Sequence, residues 1–93
     1  MSTADVRWVI SSDQVSSDVE GEAVILSMEN GVYYGLDPVG TVVWEHLDEP
    51  RTLAELRDVV VSRFEVAPDR AESDISNLVA DLESNGLVER RES

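Results

Sequence analysis

The chain contains no cysteine. That excludes disulfides, thiolate catalysis and cysteine-held metals, and the composition fits a cytoplasmic protein. Residues 1–20 lack a basic start followed by a long apolar run, which argues against a signal peptide. No apolar run approaches the ~20 residues of a membrane span. Positive charge is scarce: seven basic residues stand against twenty acidic ones, for a net charge of −13. Such a surface repels phosphate backbones and anionic lipid, so neither nucleic acid nor membrane is expected as a partner. Histidine is nearly absent too. His46 stands alone and reads as a solvated helix residue, because metal and triad chemistry need further ligands or partners. Glycines 31, 35 and 40 lack the strand–turn–helix order and the lysine of a phosphate loop. The many carboxylates fall mainly on helix surfaces and mark no acid–base pair. No catalytic residue, metal site or cofactor is expected, and the chain does not read as an enzyme.

What is present is enough for one domain over residues 1–93, with 42% hydrophobic residues. The organising stretch is Gly31 to Trp44, GVYYGLDPVGTVVW. Asn30-Gly31 is a strong hairpin signal. Val32 to Leu36 follows as a strand rich in tyrosine and aliphatic residues, and Asp37-Pro38 is a helix cap followed by a favoured first helical residue. Before this stretch, Ala23 to Met28 is the strongest strand by β-branched content, Val15 to Val19 a weaker one, and Glu20-Gly21 a turn between them. Val6 to Ile10 reads as a strand outside the main sheet, and Met1 to Asp5 as a loose end. A two-residue turn at Asn30-Gly31 predicts Glu29 opposite Val32, Met28 opposite Tyr33, Ser27 opposite Tyr34 and Leu26 opposite Gly35. Val24, Leu26, Met28 and Tyr33 then share one face, and Ile25, Val32, Tyr34 and Leu36 the other. Both faces are apolar, so one is expected to cover the helices and the other to be partly covered or to await a partner.

Three helices follow. Pro38 to Leu47 places Val39, Val43, Trp44 and Leu47 on one face. Thr52-Leu-Ala-Glu55 is a capping box opening a second helix, with Leu53, Leu56, Val60 and Phe64 on its buried face. The third runs from about Pro68 to Asn85, with Ala71, Ile75, Leu78, Val79 and Leu82 at helical spacing and an acidic opposite face. Gly86 sits where a helix ends with φ > 0, and Leu87-Val88 is a short extended tail or wing. The fold class is α+β: a three-stranded antiparallel sheet packed on a three-helix, winged-helix-like bundle.

A winged-helix bundle invites a DNA-binding reading, that of an acidic transcriptional regulator or adaptor. The third helix would enter the major groove, but Asp69, Glu72, Asp74, Asp81 and Glu83 against Arg70 would repel the duplex. The alternative rests on the edge of the sheet. In a three-stranded meander, Val32–Leu36 is an edge strand whose free N–H and C=O groups template an incoming strand. In the predicted register, residues 32, 34 and 36 point their N–H groups inward, and Tyr33 and Gly35 point theirs outward.

The run Ala23-Val24-Ile25-Leu26, then Asn30-Gly31-Val32-Tyr33-Tyr34-Gly35-Leu36-Asp37, then Gly40 and Trp44, resembles the PqqD-like RiPP recognition elements, in the stand-alone form of lasso-peptide biosynthesis. Thr52 to Leu56, the spacing Ala71, Asp74, Ile75, Leu78, Leu82, and Glu83 to Val88 agree with it, so the resemblance covers about Val15 to Val88. It implies a leader-binding protein that is not itself a catalyst. The precursor's leader peptide would add as a strand beside the third strand, in a cleft closed by the third helix. The implied partners are that leader, the leader peptidase and the macrocycle-forming enzyme. The expected peptide-binding residues are Val32, Tyr33, Tyr34, Gly35 and Leu36 on the strand, with Asp74, Ile75, Leu78, Val79 and Leu82 on the helix.

Overall fold

The computed structural model describes residues 6–12 and 14–92, so the loose end expected over Met1 to Asp5 lies outside the described residues. The elements run β1 (Val6–Ile10), β2 (Gln14–Val19), β3 (Glu22–Ser27), β4 (Tyr33–Gly35), α1 (Pro38–His46), β5 (Arg51–Thr52), α2 (Leu53–Arg63), α3 (Pro68–Ser84) and β6 (Val88–Glu92). Strands β2, β3 and β4 form the expected antiparallel meander. The expected strand β1 lies outside it and builds a second sheet, in the order β5-β1-β6. The extended tail after Gly86 is thus a five-residue strand paired with the start of the chain.

The two hairpins of the meander differ in a way the dipeptides alone do not indicate. The tight, primed turn is at Glu20-Gly21, where φ is 54° and 85°. The Asp18 carboxylate accepts the Gly21 N–H at 2.7 Å there, and Val19 pairs with Glu22. At Asn30-Gly31 only Gly31 has positive φ, 70°. The loop runs over residues 28–31: Gly31 N–H donates to the Ser27 carbonyl at 2.8 Å, and Ser27 N–H to the Val32 carbonyl at 3.0 Å. Asn30 Oδ1 accepts the Val32 N–H at 3.0 Å, so the asparagine works through its side chain instead of a left-handed backbone. This corrects the predicted register. Leu26 pairs with Tyr33, Ile25 with Tyr34 and Val24 with Gly35, two residues away from the expected pairing. Because side chains alternate with period two, an even shift leaves the paired residues on their predicted faces, while Met28 passes into the loop.

The inner face of the meander carries Ala23, Ile25 and Ser27, all buried. Ala23 and Ile25 join Val43, Trp44 and Leu47 from α1 and its cap, Leu56 and Val60 from α2, and Ala71, Ile75, Val79 and Leu82 from α3 in one core. The helix ends follow the sequence signals. Asp37 Oδ1 accepts the Gly40 N–H at 2.7 Å. Thr52 and Glu55 form the reciprocal capping box. Gly86 has φ 74°, and Leu87 N–H reaches the Leu82 carbonyl at 2.9 Å while Gly86 N–H reaches that of Glu83 at 3.0 Å, the paired bonds of a Schellman ending. The second sheet is tied to α3 through Glu83, whose Oε1 accepts from the Trp8 indole at 3.4 Å and from Arg90 at 3.2 Å. No helix among the described residues is long and apolar enough to cross a membrane.

Candidate functional site

Strand β4 is an edge of the meander, with β3 on one side only. It extends in bonding beyond its three residues: Leu36 N–H donates to the Ala23 carbonyl at 2.9 Å, and the Val32 carbonyl accepts from Ser27. Antiparallel alternation then turns residues 32, 34 and 36 toward β3 and leaves the N–H and C=O groups of Tyr33 and Gly35 facing away from it. This matches the expected outward set, and the expected inward set at Tyr34 and Leu36, because the even shift in register preserves them. The Val32 N–H differs in partner, being held by Asn30. Gly35 does not have positive φ, and a Cβ built there would meet nothing within 4 Å, so this stretch is an unstrained strand.

Beside this edge runs α3. A cleft of about 530 Å³ lies between them, lined by Tyr33, Tyr34, Gly35 and Leu36 from the strand side and Leu78, Asp81, Leu82 and Asn85 from the helix side. A second cavity of about 200 Å³ continues toward the start of α1, lined by Asp37, Val39, Gly40, Asp74, Ile75 and Leu78. Leu78 is common to both, so the two adjoin along the helix and together form the groove of the site. A bond joins its two sides: the Tyr34 hydroxyl donates to Asn85 Oδ1 at 2.9 Å. Asn85 is itself held, its Nδ2 donating to the Asp81 carbonyl at 2.8 Å.

The groove thus brings together eight of the ten expected residues, with Tyr33 to Leu36, Leu78 and Leu82 in the larger cavity and Asp74 and Ile75 in the smaller. Val32 is exposed and Val79 is buried in the core, and neither lines either cavity. Val79 lies one position round the helix from Leu78, which turns it toward the interior. Asp81 and Asn85 were not among the expected residues. They stand three and seven positions after Leu78, on the same helical stripe, so the spacing that selects Leu78 and Leu82 also selects them once polar residues are admitted.

The outer face of the meander stays open. Val15, Val19, Met28 and Tyr33 are each more than half exposed, and Val15, Leu26 and Tyr33 form one cross-strand row. A separate cleft of about 380 Å³, lined by Val6, Trp8, Thr52, Leu53, Ala54, Glu72 and Arg90, shares no residue with the groove. Among the described residues, no group of three or more histidine or carboxylate side chains is placed to hold a metal ion.

The family model described as coenzyme PQQ synthesis protein D (PqqD) matches residues 22–88, from β3 to the first residue of β6. The fold is similar to a solved structure of TbiB1 in complex with the TbiA(beta) leader peptide, at 31% identity and a TM-score of 0.80, over 87% of this chain and 94% of that one. It is also similar to a lasso peptide synthetase B1 complexed with its leader peptide, at 23% identity and a TM-score of 0.78, over 88% of this chain and 96% of that one. The second likeness is one of fold. No curated protein matches the chain.

Proposed function

The chain belongs to the PqqD family, and from that premise we propose that it binds the leader peptide of a ribosomally made precursor as a strand added to β4. The observation that carries this reading is the free β4 edge facing a groove floored by Leu78 and Leu82. The outward N–H and C=O groups of Tyr33 and Gly35 supply backbone bonds with little sequence demand, and the groove supplies apolar pockets for alternate leader side chains. The similar TbiB1 structure holds a leader peptide, which supports a leader as the ligand of this chain. Val32, Tyr33, Tyr34, Gly35 and Leu36 are assigned to the strand side, and Asp74, Ile75, Leu78 and Leu82 to the helix side. Binding of this kind needs no catalytic group. Its role is to deliver the precursor to a leader peptidase and a macrocycle-forming enzyme in lasso-peptide biosynthesis, in the cytoplasm.

Proline substitution tests strand addition, because proline has no N–H to donate. Gly35→Pro removes one outward donor while leaving the inward ladder intact. We expect that a lasso-precursor leader bound by the parent protein is bound by the folded variant about five-fold or more weakly, as for the loss of ~1 kcal/mol in one hydrogen bond. Tyr34→Pro removes an inward bond and is expected to destabilise the sheet more than Gly35→Pro does. Undiminished leader affinity in a folded Gly35→Pro protein would sink the reading. Amide exchange at Tyr33 and Gly35, slowed by leader in the parent protein, checks the same contact without a variant. A gel shift at low salt tests the DNA-binding alternative, and no duplex binding is expected.

A further inference from the structure

The groove carries carboxylates in both of its parts, and their charge has no counterpart inside it. Asp37 and Asp74 line the smaller cavity and Asp81 the larger. No arginine lines either one, and all seven basic residues of the chain are arginine. Asp37 spends one oxygen on the Gly40 N–H and keeps acceptor capacity on the other. Asp74 meets only Arg70, at 3.6 Å, with both side chains more than half exposed, a pairing that a ligand cation can replace at little cost. Asp81 enters no ion pair among the described residues. Leu78 sits between Asp74 and Asp81 on the same stripe. These two carboxylates are about 10 Å apart along the helix by its rise per residue, the span of roughly three residues of extended chain.

We infer that the groove selects a cationic leader segment, in which a lysine or arginine lies within about three residues of the apolar side chain seated over Leu78 and Leu82. This inference rests on the strand-addition reading and adds to it a charge class for the bound segment. The apolar floor and the backbone edge make the site, and the carboxylates choose among the peptides that fit it. A chain of net charge −13 also draws cationic segments toward such a groove and repels acidic ones before contact.

A displayed library of random twelve-residue peptides, selected on the full-length protein, provides the probe. The parent protein is expected to enrich apolar-anchored peptides with a basic residue at a fixed short distance from the anchor. The doubly neutralised Asp74→Asn/Asp81→Asn protein is expected to keep the apolar anchor and lose the basic preference. A selected peptide is expected to bind up to about five-fold more weakly for each carboxylate removed, the upper range of an exposed pair. Its affinity for the parent protein is expected to fall as salt rises from about 0.05 to 0.5 M, a measure that needs no variant. Glutamine in place of the peptide's basic residue is expected to abolish that salt dependence. Apolar-anchored peptides selected without any basic preference would overturn the charge assignment and leave strand addition standing. Failure of the parent to enrich any peptide over Gly35→Pro would overturn strand addition, and the charge assignment with it.

Discussion

Glu20 holds a left-handed backbone, φ 54°, at the first position of a primed turn. A residue with a Cβ pays roughly 1 kcal/mol for that conformation, whereas asparagine adopts it readily and Asn-Gly is the preferred pair in such turns. Glu20→Asn is therefore expected to raise stability by about 0.5–1 kcal/mol, read as a higher urea midpoint at unchanged slope. Tyr34 makes the opposite case. Its hydroxyl bond to Asn85 joins β4 to the end of α3, and Tyr34→Phe leaves a part-buried acceptor without its donor. A loss of about 0.5–1.5 kcal/mol is expected, and an unchanged urea midpoint would show that the bond across the groove contributes nothing.

The helices owe their ends to a few local contacts, each readable in the sequence. Thr52→Ala should cost about 0.5–2 kcal/mol, the usual worth of an N-cap. The capping box also makes stability depend on pH. The Thr52 backbone N–H donates to the Glu55 carboxylate at 2.9 Å, and this bond holds the Glu55 carboxyl below the ordinary carboxylate range. A depressed folded value stabilises the fold above the unfolded value of ~4.3, and that contribution is lost as pH falls through the folded value. Glutamine also completes a capping box but does not titrate. Stability of Glu55→Gln should consequently fall less steeply than that of the parent between about pH 5 and 3, in parallel urea titrations. The hairpin at Asn30-Gly31 shows where local signals stop. Asparagine there can satisfy the chain either through a left-handed backbone or through its side chain, and the two choices differ in loop length by two residues. The hydrophobic alternation does not distinguish them, because an even shift keeps Ile25 and Tyr34 inward and Leu26 and Tyr33 outward.

Across the whole molecule, an excess of thirteen negative charges opposes compaction. The ion pairs that offset it lie at the surface, for example Arg57–Glu72 at 3.4 Å and Arg51–Glu49 at 3.3 Å, and such pairs contribute little each. Screening should relieve repulsion more than it weakens these pairs. The melting temperature is expected to rise as sodium chloride goes from about 0.02 to 0.5 M at neutral pH, and a fall would mean that the surface pairs dominate. Taken alone, the sequence determined the strands of the meander, the three helices with the caps at Asp37, Thr52 and Gly86, the two faces of the meander, and Tyr33 to Leu36 of the groove, because period, turn residues and caps act within a few residues. It also selected Leu78 and Leu82, since spacing of three and four puts them on one stripe. Tertiary structure alone decided what those residues meet. It set Val79 in the core beside Leu78 in the groove, because a step of one position along a helix turns a side chain by about 100° and only packing says which direction is inside. It placed Asn85 against Tyr34, 51 residues away in the chain, and it paired Val6–Ile10 with Val88–Glu92 to make a second sheet. Contacts over such separations depend on how the helices stack on Ile25 and Trp44, and no local pattern carries that information.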